Sequence, residues 1–158
     1  LPYEGDQMIR FSEMIVDVDT QVAQVSETLQ VLDLRAFTHE NSTQITKLDA
    51  EVFFNKGVSV LADATEFSLS VHALKNNVNF DKKSLGVSKN TLQIDSNLKT
   101  WEKVESEWLV PPGTDFLVVA LSARQDGPGA LLPSDSGYYA DHLKINLRVD
   151  DGSVIGPL

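Results

Sequence analysis

The sequence lacks cysteine and is poor in basic residues. Its 158 residues include 13 lysines and arginines against 23 aspartates and glutamates, which gives a formal charge of -10. The absence of cysteine excludes a disulfide framework, a thiol nucleophile and a thiolate zinc site. The acidic balance disfavours nucleic acids and anionic membrane surfaces, because proteins bind both through lysine and arginine. We therefore expect no nucleic-acid partner.

Long apolar runs and motifs for covalent chemistry are also absent. No segment reaches the roughly 18 uninterrupted apolar residues that a membrane-spanning helix needs, so we expect no membrane insertion. There is no Gly-x-Ser-x-Gly, no phosphate-binding glycine loop and no dinucleotide fingerprint. The histidines at positions 39, 72 and 142 form no pair at metal-ligand spacing. With no nucleophile or metal constellation, an enzyme is not expected.

Apolar residues that alternate with polar ones predict β-strands. In segment 141–149 the alternation predicts a half-buried strand whose core side carries Leu143, Ile145 and Leu147. Segments 67–73 and 50–55 alternate in a similar way. The run 116–121 is apolar on both faces and follows a Pro-Pro-Gly turn, so it predicts a central strand. Weaker strand candidates are 7–11, 25–34, 91–95 and 101–109.

About eight short strands and few helical patterns predict an all-β fold, an antiparallel β-sandwich or barrel. Segment 33–48 has room for one helical turn, with Asp33 among its possible caps. We expect residues 1–150 to form a single β-sandwich domain. Residues 151–158, with two glycines and a proline, are predicted to be a tail or linker stub.

Several segments, taken in order, carry a recognisable pattern. They include a glycine before an apolar strand in 2–11, a tryptophan strand after 95–100, Pro-Pro-Gly-Thr before an apolar strand in 110–119, and Gly-Tyr-Tyr-Ala-Asp in 137–141. Their order and spacing resemble the galactose-binding-like jelly rolls used by many bacterial carbohydrate-binding modules. The resemblance implies a jelly-roll β-sandwich. One departure lies in the closing "aromatic-x-Asp-Asp" pattern, where His142 replaces the second acid.

The resemblance also implies a structural calcium site. In such jelly rolls the aspartate of the closing strand meets carbonyls and an acid from the opening strand, and here those positions are Asp141 and Glu4, with Gly5 or Asp6 nearby. Calcium takes roughly six to eight oxygen ligands. No Asp-x-Asp-x-Asp-Gly loop is present, so an Asp141 that is only hydrogen-bonded or solvated is the alternative.

The function implied by the resemblance is a non-catalytic glycan-binding module of a secreted or cell-surface protein, although residues 1–6 contain no signal segment. Sugars are amphipathic, so their sites combine aromatic rings with polar groups. Trp108 precedes a proline turn and is flanked by acids, which predicts an exposed stacking ring, and Tyr138 is the second candidate. Trp101 is expected in the core. For Trp108, a place covering the rim of the sandwich is the alternative.

A structural spacer or protein-interaction domain without glycan binding is the competing function. Trp108 or a tyrosine exposed on a concave face would favour the glycan-binding module over the spacer. The sequence makes no prediction of the oligomeric state.

Overall fold

The computed structural model describes residues 2–5, 7–11, 24–38, 44–57, 65–76, 84–95, 97, 99–125 and 137–158. In these ranges the chain forms nine strands and one short helix. The strands are β1 (Ile9–Arg10), β2 (Gln24–Asp33), β3 (Ile45–Lys56), β4 (Thr65–Leu74), β5 (Gly86–Gln93), β6 (Glu102–Leu109), β7 (Phe116–Gln125), β8 (Tyr138–Val149) and β9 (Val154–Ile155), and the helix is α1 (Arg35–Thr38). None of the described helical residues forms a helix long and apolar enough to cross a membrane.

The strands form two antiparallel sheets. Sheet A has the order β1-β8-β3-β6, with β9 also paired to β8, and sheet B has the order β2-β7-β4-β5. Every pairing is antiparallel. The apolar side chains that the two sheets direct toward each other form one continuous core cluster. The predicted antiparallel β-sandwich is therefore confirmed.

The core takes one side of each alternating strand. Ile145 and Leu147 are fully buried, and Leu143 packs against the same cluster from a half-buried position, so the predicted inward face of β8 is confirmed. The largest fully buried side chains come from both sheets: Phe54, Phe67, Leu34, Leu48, Leu69, Leu74, Leu117, Leu121, Ile145, Leu147, Val52 and Val71. Removing the apolar surface of these side chains from water stabilises the fold by about 25 cal/mol for each Å² buried.

Strand β7 is central, as its apolar run predicts. It pairs with β2 on one side and with β4 on the other. Its residues 117–121 are all at most 2% exposed. The inward residues join the main core, while Phe116 and Val118 form a second small cluster with Leu74 on the other face of sheet B. Both faces of β7 are covered, which explains why its sequence does not alternate.

The sequence predicts one helical turn in segment 33–48 and a tail or linker stub in 151–158. The helical turn expected in 33–48 is α1, where an Asp33 carboxylate oxygen accepts a hydrogen bond from the Arg35 backbone N–H at 3.0 Å. In the C-terminal segment predicted as a tail or linker stub, β9 pairs with β8, and the Leu158 N–H donates to the Ile145 carbonyl at 3.0 Å. This segment therefore lies against sheet A.

A β-bulge interrupts the pairing of β8 with β3. Glu51 pairs with Lys144 and Phe53 pairs with Asp141, so two residues of β8, His142 and Leu143, lie opposite Val52 alone. The backbone of His142 has a positive φ of 54°. Because of the extra residue, Asp141 and His142 both lie on the side of sheet A that faces away from the core, and Leu143 returns to the core side.

We expect Ile145→Ala to lower the free energy of unfolding by about 2 to 5 kcal/mol, because Ile145 is fully buried and its truncation leaves a cavity in the core. The neighbouring Lys144→Ala, on the outer face, serves as the control and should change it by less than about 0.5 kcal/mol. Urea unfolding curves measure both. Equal changes in the free energy of unfolding for the two substitutions would contradict the assignment of Ile145 to the core side of β8.

Candidate functional site

The outer face of sheet A carries a polar groove built from alternate residues of three strands. The register places Asp49 between Glu107 and Asn146, and places Glu51 between Glu105 and Lys144. These six side chains, with Ala50 and Ser106, line a groove of about 260 Å³. Two pairs of carboxylates therefore face each other directly across β3 and β6, an arrangement that is unfavourable without compensating charges.

Basic side chains offset the negative charge of the carboxylate pair at one end of the groove. The Lys47 ammonium lies 3.2 Å from Asp49 and 2.6 Å from Glu107, and the Arg148 Nε–H donates to the other Asp49 oxygen at 3.0 Å. Burial raises the pKa of Asp49, but the hydrogen bonds from Arg148 and Lys47 outweigh it and leave the pKa below its ordinary value of 3.8. Asp49 is thus an ordered, ionised acceptor.

Two groove side chains are free to bind something else. Within the described ranges, the side chains of Lys144 and Asn146 make no hydrogen bond and no ion pair. Both are half-buried on the outer face of β8. They supply N–H donors, and the amide of Asn146 also supplies an acceptor. The groove therefore presents donors and acceptors side by side.

An aromatic platform lies at the other end of the same face. The Tyr3 ring stacks on Phe53 with centroids 3.9 Å apart and planes at 14°, and Trp101 meets Tyr3 edge-on at 6.3 Å. Tyr3 remains 47% exposed. Since Phe53 covers one face of the Tyr3 ring, the opposite face is the accessible one. We call Tyr3, Phe53 and Trp101 the aromatic platform.

The N-terminal residues that carry the platform are held by the bulge of β8. One carboxylate oxygen of Asp141 accepts hydrogen bonds from the backbone N–H groups of Tyr3 at 2.6 Å and Glu4 at 3.1 Å, and the other accepts from the His142 N–H at 2.7 Å. The His142 Nδ1 pairs with the Glu4 carboxylate, and its Nε2 lies 3.6 Å from Glu51. We use the name clasp for Asp141 and His142 together with the two residues that they hold, Tyr3 and Glu4.

The clasp brings together Asp141 and Glu4, the two residues predicted to bind calcium, but in a geometry that does not fit this ion. Both oxygens of Asp141 face N–H donors, whose positive ends repel a cation, and the carboxylate of Glu4 faces His142. Among the described residues no three histidine or acidic side chains are arranged to hold a metal. Asp6 lies outside the described residues.

The two aromatic residues predicted to bind a glycan lie elsewhere. Trp108 is half-buried and packs against the core cluster, with its ring so close to β5 that a Cβ added at Gly86 would lie 3.1 Å from it. Tyr138 is only 4% exposed and meets Phe67 edge-on at 5.8 Å. Neither ring belongs to the outer face of sheet A, and a ligand contact by either stays a prediction. Trp101, expected in the core, is half-buried on the platform.

Sequence reasoning missed Tyr3, Phe53 and His142. The sequence did contain a signal for the bulge, because the apolar residues of this strand change from even-numbered positions, at Tyr138 and Ala140, to odd-numbered positions from Leu143 onward. Such a change of parity within one strand requires an extra residue, and it predicts that two consecutive side chains share the outer face. No comparable signal connects Tyr3 with Phe53, which lie in different parts of the chain.

Comparison with known proteins gives the fold. No protein-family model matches the sequence, and no curated protein does. The carbohydrate-binding module TmCBM61, solved in complex with β-1,4-galactotriose, matches 90% of this chain and 72% of its own with a TM-score of 0.52 and 10% sequence identity. This chain has the fold of a carbohydrate-binding-module jelly roll.

Two further solved structures match this chain with lower TM-scores. A family 16 carbohydrate-binding module covers 90% of this chain and 78% of its own, with a TM-score of 0.46 and 13% identity. A chain of the Israeli acute paralysis virus particle covers 94% and 66%, with a TM-score of 0.34 and 14% identity. At such identities the likeness concerns the fold alone, since one fold carries many functions. The predicted jelly roll is confirmed, and the function must be argued from the site.

The groove predicts a pH dependence of stability. Because the pKa of Asp49 is lowered in the folded protein, its ion pairs stabilise the fold above about pH 4 and lose that contribution as the pH falls through the lowered pKa. Asp49→Asn should therefore cost about 1 kcal/mol or less at pH 7, and the difference from wild type should shrink towards pH 2. Urea unfolding across this range, with Asp150→Asn as the exposed control, measures it. A difference that stays constant down to pH 2 would contradict the assignment.

Proposed function

We propose that this jelly roll is a non-catalytic glycan-binding module of an extracellular or surface protein, and that it binds neutral oligosaccharides on the outer face of sheet A. The observation that carries the proposal is the Tyr3 ring, stacked on Phe53 and open on its other face, beside a groove of polar side chains. The contacts of the aromatic platform and of the groove support this proposal.

The platform suits the apolar face of a pyranose ring. Sugars present C–H groups on their faces and hydroxyls at their edges, and aromatic rings bind the former. Phe53 supports Tyr3 from beneath, and Trp101 flanks it, so the ring needs no rearrangement to receive a ligand. Such preorganisation favours binding because little conformational freedom is lost.

The groove suits the hydroxyls of the sugars next in the chain. Hydroxyls both donate and accept hydrogen bonds, and the groove offers carboxylate acceptors together with the free donors of Lys144 and Asn146. From Phe53 to Asp49 the strand advances by four residues, roughly 13 Å. Because platform and groove lie along the same strand, a linear oligosaccharide matches the face better than a single sugar.

The charge of this face favours a neutral ligand. The carboxylates of the groove are matched in number by the basic side chains in or beside it; the former are Asp49, Glu51, Glu105 and Glu107, and the latter Lys47, Lys103, Lys144 and Arg148. The clasp adds the carboxylates of Asp141 and Glu4, with the imidazole of His142 beside them. The chain as a whole carries a charge of -10, which repels acidic polysaccharides. A neutral glycan meets no such barrier.

The Asp49 carboxylate is not suited to act as the acid of glycoside hydrolysis. That reaction needs a carboxylic acid whose pKa is raised so that it carries a proton near neutral pH. The pKa of Asp49 is instead lowered by Arg148 and Lys47. This carboxylate is suited to accept hydrogen bonds from a ligand and not to protonate a leaving group, which supports a binding role.

The test is a screen of neutral oligosaccharides followed by titration calorimetry on variants. We expect wild type to bind at least one neutral glycan and Tyr3→Ala to weaken that affinity about tenfold or more, which corresponds to about 1.4 kcal/mol. Tyr3→Phe keeps the ring and should retain most of the affinity. Leu29→Ala, at a residue 47% exposed on strand β2 of sheet B, is the surface control and should leave it unchanged.

The same titration separates the alternatives. Loss of affinity in Trp108→Ala with none in Tyr3→Ala would move the site to Trp108, provided that Trp108→Ala, which removes core contacts, still melts cooperatively. A wild type that binds no glycan in the screen would instead support the spacer or protein-interaction domain.

A further inference from the structure

The aromatic platform depends on a short N-terminal segment outside any strand. Strand β1 begins only at Ile9, and residues 2–5 are not paired in either sheet. Tyr3 and Glu4 are fixed by the stack on Phe53, by the Asp141 carboxylate and by the contact of the Glu4 side chain with His142. The position of the Tyr3 ring therefore depends on the contacts that Asp141 makes with this segment.

Asp141 is suited to this task by its burial and its partners. Asp141 is only 9% exposed, and its carboxylate accepts three backbone N–H groups. Hydrogen bonds to a charged group are stronger than those between neutral groups. Two of the three donors belong to Tyr3 and Glu4, so the carboxylate fixes the backbone from which the platform ring projects.

The same three donors fill three of the roughly four lone-pair positions of the Asp141 carboxylate. A calcium ion bound through both oxygens would have to displace the N–H group of Tyr3 or Glu4 from one of them, and it would lie beside the His142 N–H on the other. His142, at the position where the jelly-roll pattern has a second acid, presents its ring nitrogens to Glu4 and Glu51. Imidazole nitrogen is a poor ligand for a hard cation, and here it takes the place between carboxylates that a cation would fill.

We propose that Asp141 is a positioning residue that holds the Tyr3 platform through backbone hydrogen bonds alone, so that this module keeps its binding face in place without calcium. The inference rests on the proposed function for the purpose of the platform. The positioning itself rests only on the clasp and can be tested without a glycan.

Asparagine at position 141 is the sharpest substitution. Both oxygens of Asp141 accept N–H donors, whereas an amide has one oxygen and one NH₂ group. In either orientation the NH₂ of Asp141→Asn faces an N–H donor, so the variant must release either His142 or the pair Tyr3 and Glu4. The shape of the side chain is preserved, and any effect comes from the lost acceptor.

The experiment combines amide hydrogen exchange with melting and titration. In Asp141→Asn we expect the amides of Tyr3 and Glu4 to exchange at least tenfold faster while those of Val118 and Val119 in the central strand stay protected. Wild type should melt at the same temperature in millimolar calcium and in excess chelator. Glycan affinity should fall about tenfold or more in Asp141→Asn and should not depend on calcium in wild type. Asp150→Asn is the exposed control.

Each outcome decides the proposal. Unchanged exchange at Tyr3 and Glu4 in Asp141→Asn would show that this carboxylate does not position the segment. A melting temperature that rises with calcium in wild type, by mass action on the folded state, and no longer rises in Asp141→Asn would make Asp141 a calcium ligand and overturn the inference. If no glycan binds wild type, the proposed function fails alone, because exchange and melting still test the clasp.

Discussion

The bulge in β8 is the constraint on which the arrangement of the outer face of sheet A depends. Before it, Ala140 packs into the core, and after it Leu143 and Ile145 do, so the strand must change parity between them. One extra residue opposite Val52 resolves this conflict and leaves two consecutive polar side chains on the outer face. Without the bulge, either the core would lose its apolar side chains or Asp141 and His142 would be separated by the sheet.

The bulge has a cost that local contacts offset. A left-handed backbone at a residue with a side chain, as at His142, costs about 1 to 3 kcal/mol. The Asp141 carboxylate accepts the His142 N–H and those of Tyr3 and Glu4, and each such hydrogen bond contributes about 1.5 to 3 kcal/mol. Through these contacts a feature of strand pairing fixes an aromatic ring beside a polar groove.

Much of the fold could be predicted from sequence because alternation reports on burial directly: the inward face of β8 and the central place of β7 followed from it. The residues of the candidate site were predicted less well from the sequence. The acids around Trp108 indicated an exposed ring, but neighbouring residues of a strand point to opposite faces, so Glu105 and Glu107 lie outside while Trp108 packs inside. Tyr3 reaches Phe53 only through Asp141, a contact across 138 residues that no local pattern encodes.

The central claim is that the outer face of sheet A binds a neutral oligosaccharide, and chemical-shift mapping by NMR tests it most directly. Titration of an isotope-labelled chain with the tightest neutral oligosaccharide should shift resonances of Tyr3, Trp101 and the outward residues of β3, β6 and β8, while sheet B stays unchanged. Shifts concentrated on sheet B or around Trp108 and Gly86, or no shifts with any neutral glycan, would contradict the account.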